Sequence, residues 1–519
     1  MPRTRDGARG MRYVTDGEPA VGGVLRQRPE DFIVEEIPAY EPCGSGEHIY
    51  LYIQKYNMST LDMVRLIARH FGVREGDVGY AGLKDKRAVT RQVISIHTPG
   101  KTPEDFGKIQ HDRLQVLWTD LHTNKLRRGQ LKGNRFAIRI RRTPIAHVTT
   151  ARRVLEALTK LGVPNRAGEQ RFGYFQNNHL LGRALVLDDA SGFVNELLRP
   201  RNAADSAEGP EMLPSLEGQP HVPDELEARA RELFAAGNVR EAARLMPRFV
   251  DAERLALEEL ARAKGAWGEA DARRAIARLG GTRRGFFISA LQSAVFNRVL
   301  DERMGRMGPD GLRTLFEGDV AFKHENGACF AVTSETLQDA ATAGRLERLE
   351  ISPSGPMWGG GDRHMRAAGA TDAAEVAALE SLGLSVEQLR AYDARVQDSR
   401  SGLTVADAMP GSRRPMRVPV AYPSVSAGAD EHGVYILCSF ELPPGSFATA
   451  VLREIMKPER AGALLPAVLR AADARAATAG DAVAAEGSPG NAGTSLAWGT
   501  GEAERDGEDP ARRAGLSFW

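Results

Sequence analysis

The hydrophobic period of this chain changes along its length, and that change constrains the architecture more than any single motif. Residues 26 to 57 read as strands. The stretch 31–37 alternates, and 48–54 sets Ile49, Leu51 and Ile53 on one face with Tyr50 and Tyr52 on the other. Between about 200 and 300 the period becomes helical, over 224–236, 239–245, 251–264 and 282–304. Short strands return at 320–323 and 329–332, and 435–442 followed by 446–456 reads as strand, turn and helix. Strand-rich ends around a helix-rich centre predict an α+β protein with a mixed, mainly antiparallel sheet, and 519 residues predict two domains or more.

Within the first strand-rich part a helix is expected after residue 59. Ser59 or Thr60 caps it, Leu61, Val64, Ile67, Ala68 and Phe71 form its apolar stripe, and Gly72 ends it. Further strands are expected at 114–118 and 135–141, before a capped helix over 150–161. After Lys457 the chain turns rich in alanine, glycine and acidic residues and poor in large apolar ones. A disordered tail over 457–519 is expected, with one helix near 461–477. No internal repeat is found.

A composition of 42% hydrophobic and 26% charged residues is that of a soluble globular protein. No apolar run reaches the roughly 18 residues of a membrane span, and the first residues lead into no apolar signal core. A cytoplasmic protein with no membrane partner is expected. Cys43, Cys329 and Cys438 lie far apart, which argues for reduced thiols and against a disulfide framework or a zinc site. A net charge of +1 argues against a nucleic-acid partner, yet 84–153 carries 17 Lys or Arg against five acidic residues. That local basic patch is a footprint for a phosphate backbone.

In residues 79–92 one carboxylate, Asp85, sits among Lys84, Lys86, Arg87 and Arg91. Such neighbours suit a carboxylate that works ionised, as nucleophile or as stabiliser of positive charge, and Lys84, Lys86 and Arg87 would hold phosphates. A glycine-rich turn precedes Asp85 and an alternating run, 92–96, follows, so it belongs on a loop between strands. The plainer reading is a solvated lysine-rich turn. In 133–141, alternation puts Asn134, Phe136, Ile138 and Ile140 on one face and three arginines on the other. Asn134 could pair with a base edge while Phe136 stacks on its plane; equally, Phe136 could open the core stripe. Lys125, Arg127, Arg128 and Lys132, punctuated by glycines, form a loop that could follow an RNA backbone. Residues 164–173, which include Arg171, could be a hinge, a phosphate-binding loop or a connector. Gly359-Gly360-Gly361 lacks the frame of a phosphate or dinucleotide loop and reads as a flexible loop.

Five segments together resemble the pseudouridine synthase D family. They are Pro29-Glu30-Asp31-Phe32-Ile33-Val34-Glu35, Ala81-Gly82-Leu83-Lys84-Asp85-Lys86, Gly133-Asn134-Arg135-Phe136, Gly168-Glu169-Gln170-Arg171-Phe172-Gly173, and Pro444-Gly445-Ser446-Phe447-Ala448-Thr449 with Leu452-Arg453-Glu454. The resemblance runs from Arg28 to Met456. It implies isomerisation of a uridine of tRNA, position 13, to pseudouridine without a cofactor or metal. Asp85 would be catalytic, with Phe32, Asn134 and Phe447 around the uridine. It also implies a discontinuous catalytic domain, 1–170 with 415–456, and an inserted helix-rich α+β domain over 171–414. No obligate protein partner is evident, and a monomer is expected. The chain departs from the family at Arg166 and Ala167, where relatives place aromatic residues, so the packing or the RNA contact of that hinge is expected to differ. A non-catalytic RNA-binding or RNA-folding factor is the competing reading. A phosphate-handling enzyme using Lys84 and Lys86 is a third.

Overall fold

Alternating apolar residues build most of one large sheet from β1 (Phe32–Pro38), β2 (His48–Tyr56), β3 (Val78–Tyr80), β4 (Val89–His97), β5 (Leu114–His122) and β6 (Leu131–Arg141). The structure, a computed structural model, describes residues 12–201, 225–361, 365–398 and 400–458. α1 (Thr60–Phe71) follows β2, and α2 (Val148–Leu161) follows β6. Ser59 caps α1 by accepting the Asp62 amide, and Gly72 closes it in the left-handed conformation at φ 66°. Met63, Val64 and Ile67 of α1 pack on Ile49, Leu51 and Ile53 of β2, each buried aliphatic chain contributing about 1.5–3 kcal/mol.

The helical centre follows β7 (Val163–Pro164). It comprises α3 (Asn178–Val186), α4 (Ala190–Leu198), α5 (Glu225–Ala235), α6 (Val239–Leu245), α7 (Asp251–Leu260), α8 (Glu269–Arg278) and α9 (Gly281–Met307). Then come β8 (Val320–Lys323), β9 (Cys329–Ala331), α10 (Ser334–Gln338), α11 (Ala340–Glu347), β10 (Ile351–Met357), α12 (Gly369–Ser381) and α13 (Val386–Gln397). The chain returns through β11 (Ser412–Pro415) and β12 (Arg417–Val418) to β13 (Ala421–Asp430), β14 (Gly433–Leu442) and α14 (Ala448–Met456).

The large sheet has the order β13-β14-β6-β1-β4-β2-β5, with β3 added beside β4. Only the β1–β4 pairing is parallel, so the sheet is mixed and mainly antiparallel, as expected. Phe32 and Val34 of β1, Ile138 of β6 and Cys438 of β14 join α2 and α14 in one core. The opposite face of β6 carries the expected arginines. Arg141 pairs with buried Asp31 at 2.7 Å and with Asp430, and Arg135 pairs with Glu441.

The middle of α9, 285–297, carries no charged residue and is buried on two sides. Phe296, Val299 and Leu300 enter the sheet core, whereas Phe287, Leu291 and Val295 enter the helical core. The segment with Arg166 and Ala167 is fastened to this helix. Arg166 pairs with Asp301, and the Ala167 amide donates to Asn297 at 2.9 Å while its carbonyl accepts from the same side chain at 3.0 Å.

Several elements escape sequence reading. β13, Ala-Tyr-Pro-Ser-Val-Ser-Ala-Gly-Ala-Asp, holds a proline and a glycine, which an edge strand tolerates, and its pairing with β14 makes it a strand. A Cβ on Gly428 would lie 2.6 Å from the Tyr435 hydroxyl oxygen of β14. Gly359 and Gly360 are not a flexible loop: a Cβ there would meet the Gly411 amide at 2.3 Å and the Leu389 carbonyl at 2.3 Å, so close packing requires them. α3, α4 and α8 escape it too. All three cysteines are free, Cys438 buried and Cys43 exposed. The expected tail and its helix near 461–477 lie outside the described residues, apart from Lys457 and Pro458.

Candidate active site

Asp85 sits on the loop that leaves β3 and enters β4, with its side chain 32% exposed. The loop is fastened along its length. The Ala81 carbonyl accepts from the Gly129 amide at 2.8 Å, the Gly82 carbonyl from Gln92, and the Lys84 amide donates to the Thr60 hydroxyl at 2.9 Å. Lys55, fully buried on β2, donates to the backbone carbonyl of Asp85 at 2.8 Å and to that of Met58 at 2.7 Å. Burial pulls the Lys55 pKa down to about 8, with the nearby Asp85 charge opposing.

The carboxylate itself is held from two sides. Arg26 donates to Asp85 Oδ1 at 3.1 Å while its guanidinium lies 3.9 Å from the centre of the Phe32 ring. Gln170, with its amide nitrogen turned to Asp85, lies 3.3 Å from Oδ1 and presents its oxygen to Arg26. Arg26 adopts φ 53°, unusual for a residue with a side chain, and Arg87 donates to its carbonyl at 2.9 Å. Sequence reading misses Arg26, because nothing local separates it from exposed Arg28. Gln170 is visible in the sequence only as part of a family segment.

Two expected phosphate-holding cations are engaged by groups of the protein itself. Lys84 is 5% exposed, with its ammonium 2.5 Å from Glu36, and is therefore a buried structural cation. Burial raises the Glu36 pKa and Lys84 opposes that rise. Lys125 donates to the Gly76 carbonyl. Lys86, Arg87, Arg127, Arg128 and Lys132 are exposed, and Arg128 also donates to the Tyr80 hydroxyl at 2.8 Å.

The expected aromatic residues divide in the same way. Phe32 is 1% exposed, faces Arg26 and meets Phe136 edge-on, so it offers no open face to a base. Phe136 belongs to the core, as the plainer reading of its stripe had it. Asn134 on the same strand is half-buried, and its buried Oδ1 has no hydrogen-bond partner among the described residues. Phe447, half-buried, stands at the start of α14 against Ala167, Phe172, Ala290 and Ala294. Arg171 is half-buried near Phe447, with its guanidinium carbon 6.0 Å from the ring centre. Among the described residues no cluster of His, Cys, Asp or Glu could hold a metal, and no helix is long and apolar enough to cross a membrane.

The carboxylate is partly exposed and oriented by a guanidinium and an amide, Asn134 keeps a buried amide oxygen with no partner among the described residues, and Phe447 keeps a half-buried ring. This arrangement suits chemistry on a planar, hydrogen-bonding substrate. The profile of the family described as tRNA pseudouridine synthase D (TruD) matches residues 8–455. The chain is 39% identical to the tRNA pseudouridine synthase D of Geobacter metallireducens over 450 residues, covering 86% of this chain and 98% of that one. It is 40% identical to that of Geotalea daltonii, covering 86% and 99%. The structure is similar to a solved Methanosarcina mazei protein assigned to the same family, at a TM-score of 0.63 and 27% identity, covering 87% of this chain and 98% of that one. The chain belongs to the tRNA pseudouridine synthase D family.

Proposed function

We propose that this chain isomerises a specific uridine of tRNA, at position 13, to pseudouridine, with Asp85 as the acting carboxylate. The protein is an isomerase of its family. The reaction breaks the bond from N1 to C1′, turns the uracil and rejoins C5 to C1′, and it needs no redox step. The acting carboxylate attacks C1′ or removes the C2′ proton, and either role needs it ionised. The observation that carries the assignment is the hold of Arg26 and Gln170 on an Asp85 whose loop is fixed by its own hydrogen bonds. In this reading Phe32 supports Arg26, Asn134 accepts from the flipped base through its free oxygen, and Phe447 is the stacking ring. Unpairing and flipping cost a few kcal/mol, which stacking of about 1–3 kcal/mol and the amide bond offset. Lys86, Arg87, Arg127, Arg128 and Lys132 follow the RNA backbone.

We further propose a catalytic domain of residues 1–170 and 415–456 with an inserted domain over 171–414, in a cytoplasmic protein acting as a monomer. The strands of the large sheet come from 32–141 and 421–442, which supports that division. The test is tritium release from tRNA labelled at C5 of uridine, because rejoining through C5 expels that hydrogen. Release by the parent and none by Asp85→Asn is expected. Equal release by both would remove Asp85 from the chemistry. Tight RNA binding without release by the parent would favour the RNA-binding factor.

A further inference from the structure

We propose that Arg171 and Arg414, gathered about Phe447 at the amino end of α14, bind one phosphate of the RNA backbone beside the target uridine. The proposal rests on the reading that the chain acts on RNA, and it specifies how this site holds that RNA. Arg414 leaves β11 with its guanidinium carbon 5.5 Å from the Phe447 ring centre and 5.4 Å from that of Phe296. Arg171 approaches from the turn Glu169–Arg171, 6.0 Å from Phe447 and 5.6 Å from Phe286. Among the described residues Arg414 donates only to Asn165, to its carbonyl at 3.1 Å and its Oδ1 at 2.6 Å. Arg171 donates to the Ser289 hydroxyl at 3.3 Å. Every one of these acceptors is neutral. Among the described residues neither guanidinium has a carboxylate within ion-pair distance.

The neighbouring arginines differ. Arg413, next in sequence, makes a two-pronged pair with Glu375 at 2.8 and 2.9 Å, and Arg453 takes Glu169 at 3.2 Å. The nearby carboxylates are therefore engaged, and two positive groups share one aromatic ring with no anion between them. Burial and the charge of Arg171 pull the Arg414 pKa down to about 10, and burial lowers that of Arg171, a setting that an anion would relieve.

Two further features favour an anion. The first turn of α14 contains no acidic residue, and Phe447, its cap, has no side chain that can satisfy the free amides, so the positive end of the helix is open. The Ser446 hydroxyl is buried with no hydrogen-bond partner among the described residues. The position is also fixed. A Cβ on Gly168 would lie 2.7 Å from the Thr449 hydroxyl, so the turn bearing Arg171 is pressed onto α14. Arg171 directly follows Gln170, which contacts Asp85. An anion held there lies next to the ribose on which Asp85 would act, and a guanidinium fork matches phosphate oxygens. A phosphodiester of the bound strand meets that description, and so does the chemistry of a free phosphate.

The test combines backbone and protein substitutions. RNA carrying a single neutral methylphosphonate, placed in turn at each phosphate flanking the target uridine, is bound and isomerised by the parent and by Arg414→Gln. One of these positions is expected to weaken parent binding about tenfold, and the same substitution to add no further loss in Arg414→Gln. Arg171→Gln should show the same loss of sensitivity, which covers the case of a poorly folded Arg414 variant. Independent, additive losses at every position in both variants would overturn the site while leaving isomerisation by the parent intact. Saturable thermal stabilisation by inorganic phosphate that both variants lose, without coupling to any methylphosphonate, would assign the site to a free anion and overturn the RNA assignment. Absence of isomerisation and RNA binding by the parent would overturn the functional reading itself, and this site with it.

Discussion

The two walls of the candidate site are built on opposite principles. On the Asp85 loop, Lys55 and the Thr60 hydroxyl fix the backbone, Glu36 takes Lys84, and Arg26 takes the carboxylate. On the proposed RNA-binding rim, among the described residues, the Asn134 oxygen has no partner, and Arg171 and Arg414 have only neutral ones. The loop is complete before substrate arrives, whereas the rim keeps hydrogen-bonding capacity for a ligand. A group that must act in one geometry gains from being held by the fold, and groups that recognise RNA gain nothing from internal partners.

The comparison breaks most visibly at Arg26. Arg26→Met keeps much of the side-chain volume but removes the positive charge held against Asp85, and should lower the single-turnover rate about 100-fold with little change in the dissociation constant for tRNA. An equal loss in binding would make Arg26 part of the RNA surface instead. A smaller effect is expected on the rim. Asn134→Ala removes the unpartnered acceptor, and isomerisation should fall by the equivalent of about 1–3 kcal/mol, with thermal stability unchanged because no internal bond is lost. A lowered melting temperature with normal turnover would show that Asn134 serves the fold.

Smaller again is the contribution of the exposed loop. Arg127→Ala with Lys132→Ala should weaken binding and reduce the slope of log affinity against log salt by about one for each phosphate that is no longer neutralised. An unchanged slope would take that loop off the RNA path. Far from the site, the Arg141 hydrogen bonds hold the Asp430 pKa at about 2, below its ordinary 3.8. Because the folded value is the depressed one, this pair stabilises the protein above the ordinary value, and the effect fades as pH falls through the folded value. The stability gap between the parent and Asp430→Asn, measured by urea unfolding, should therefore narrow steadily below pH 3.8. A gap independent of pH would contradict the pairing.

Much of the frame was legible where burial acts on one side of an element. The alternation of β2 and the stripe of α1 are direct records of which face meets the core, and the ends of α1 follow from Ser59 and Gly72. β13 was not legible, because an exposed edge strand of small and polar residues carries no such record and takes its form from β14. The position of Asp85 on an inter-strand loop was readable, but the use of its neighbours was not. Lys84 is adjacent in sequence and yet belongs to Glu36, 48 residues away, while Arg26 reaches the carboxylate through a left-handed backbone that no local pattern announces. Phe32 and Phe447 look alike as motif phenylalanines. Only the packing around them shows that one is closed by Arg26 and the core and that the other is half open.

Amide hydrogen exchange across residues 81–88, in the free protein and in complex with tRNA, tests the contrast between a finished loop and an open rim most directly. The hydrogen bonds of the Lys84 amide to Thr60 and of the Ala88 amide to Lys86 predict protection that is present without RNA and changes little when RNA binds. Rapid exchange in the free protein, with protection appearing only in the complex, would mean that RNA builds the Asp85 loop, and would contradict this account.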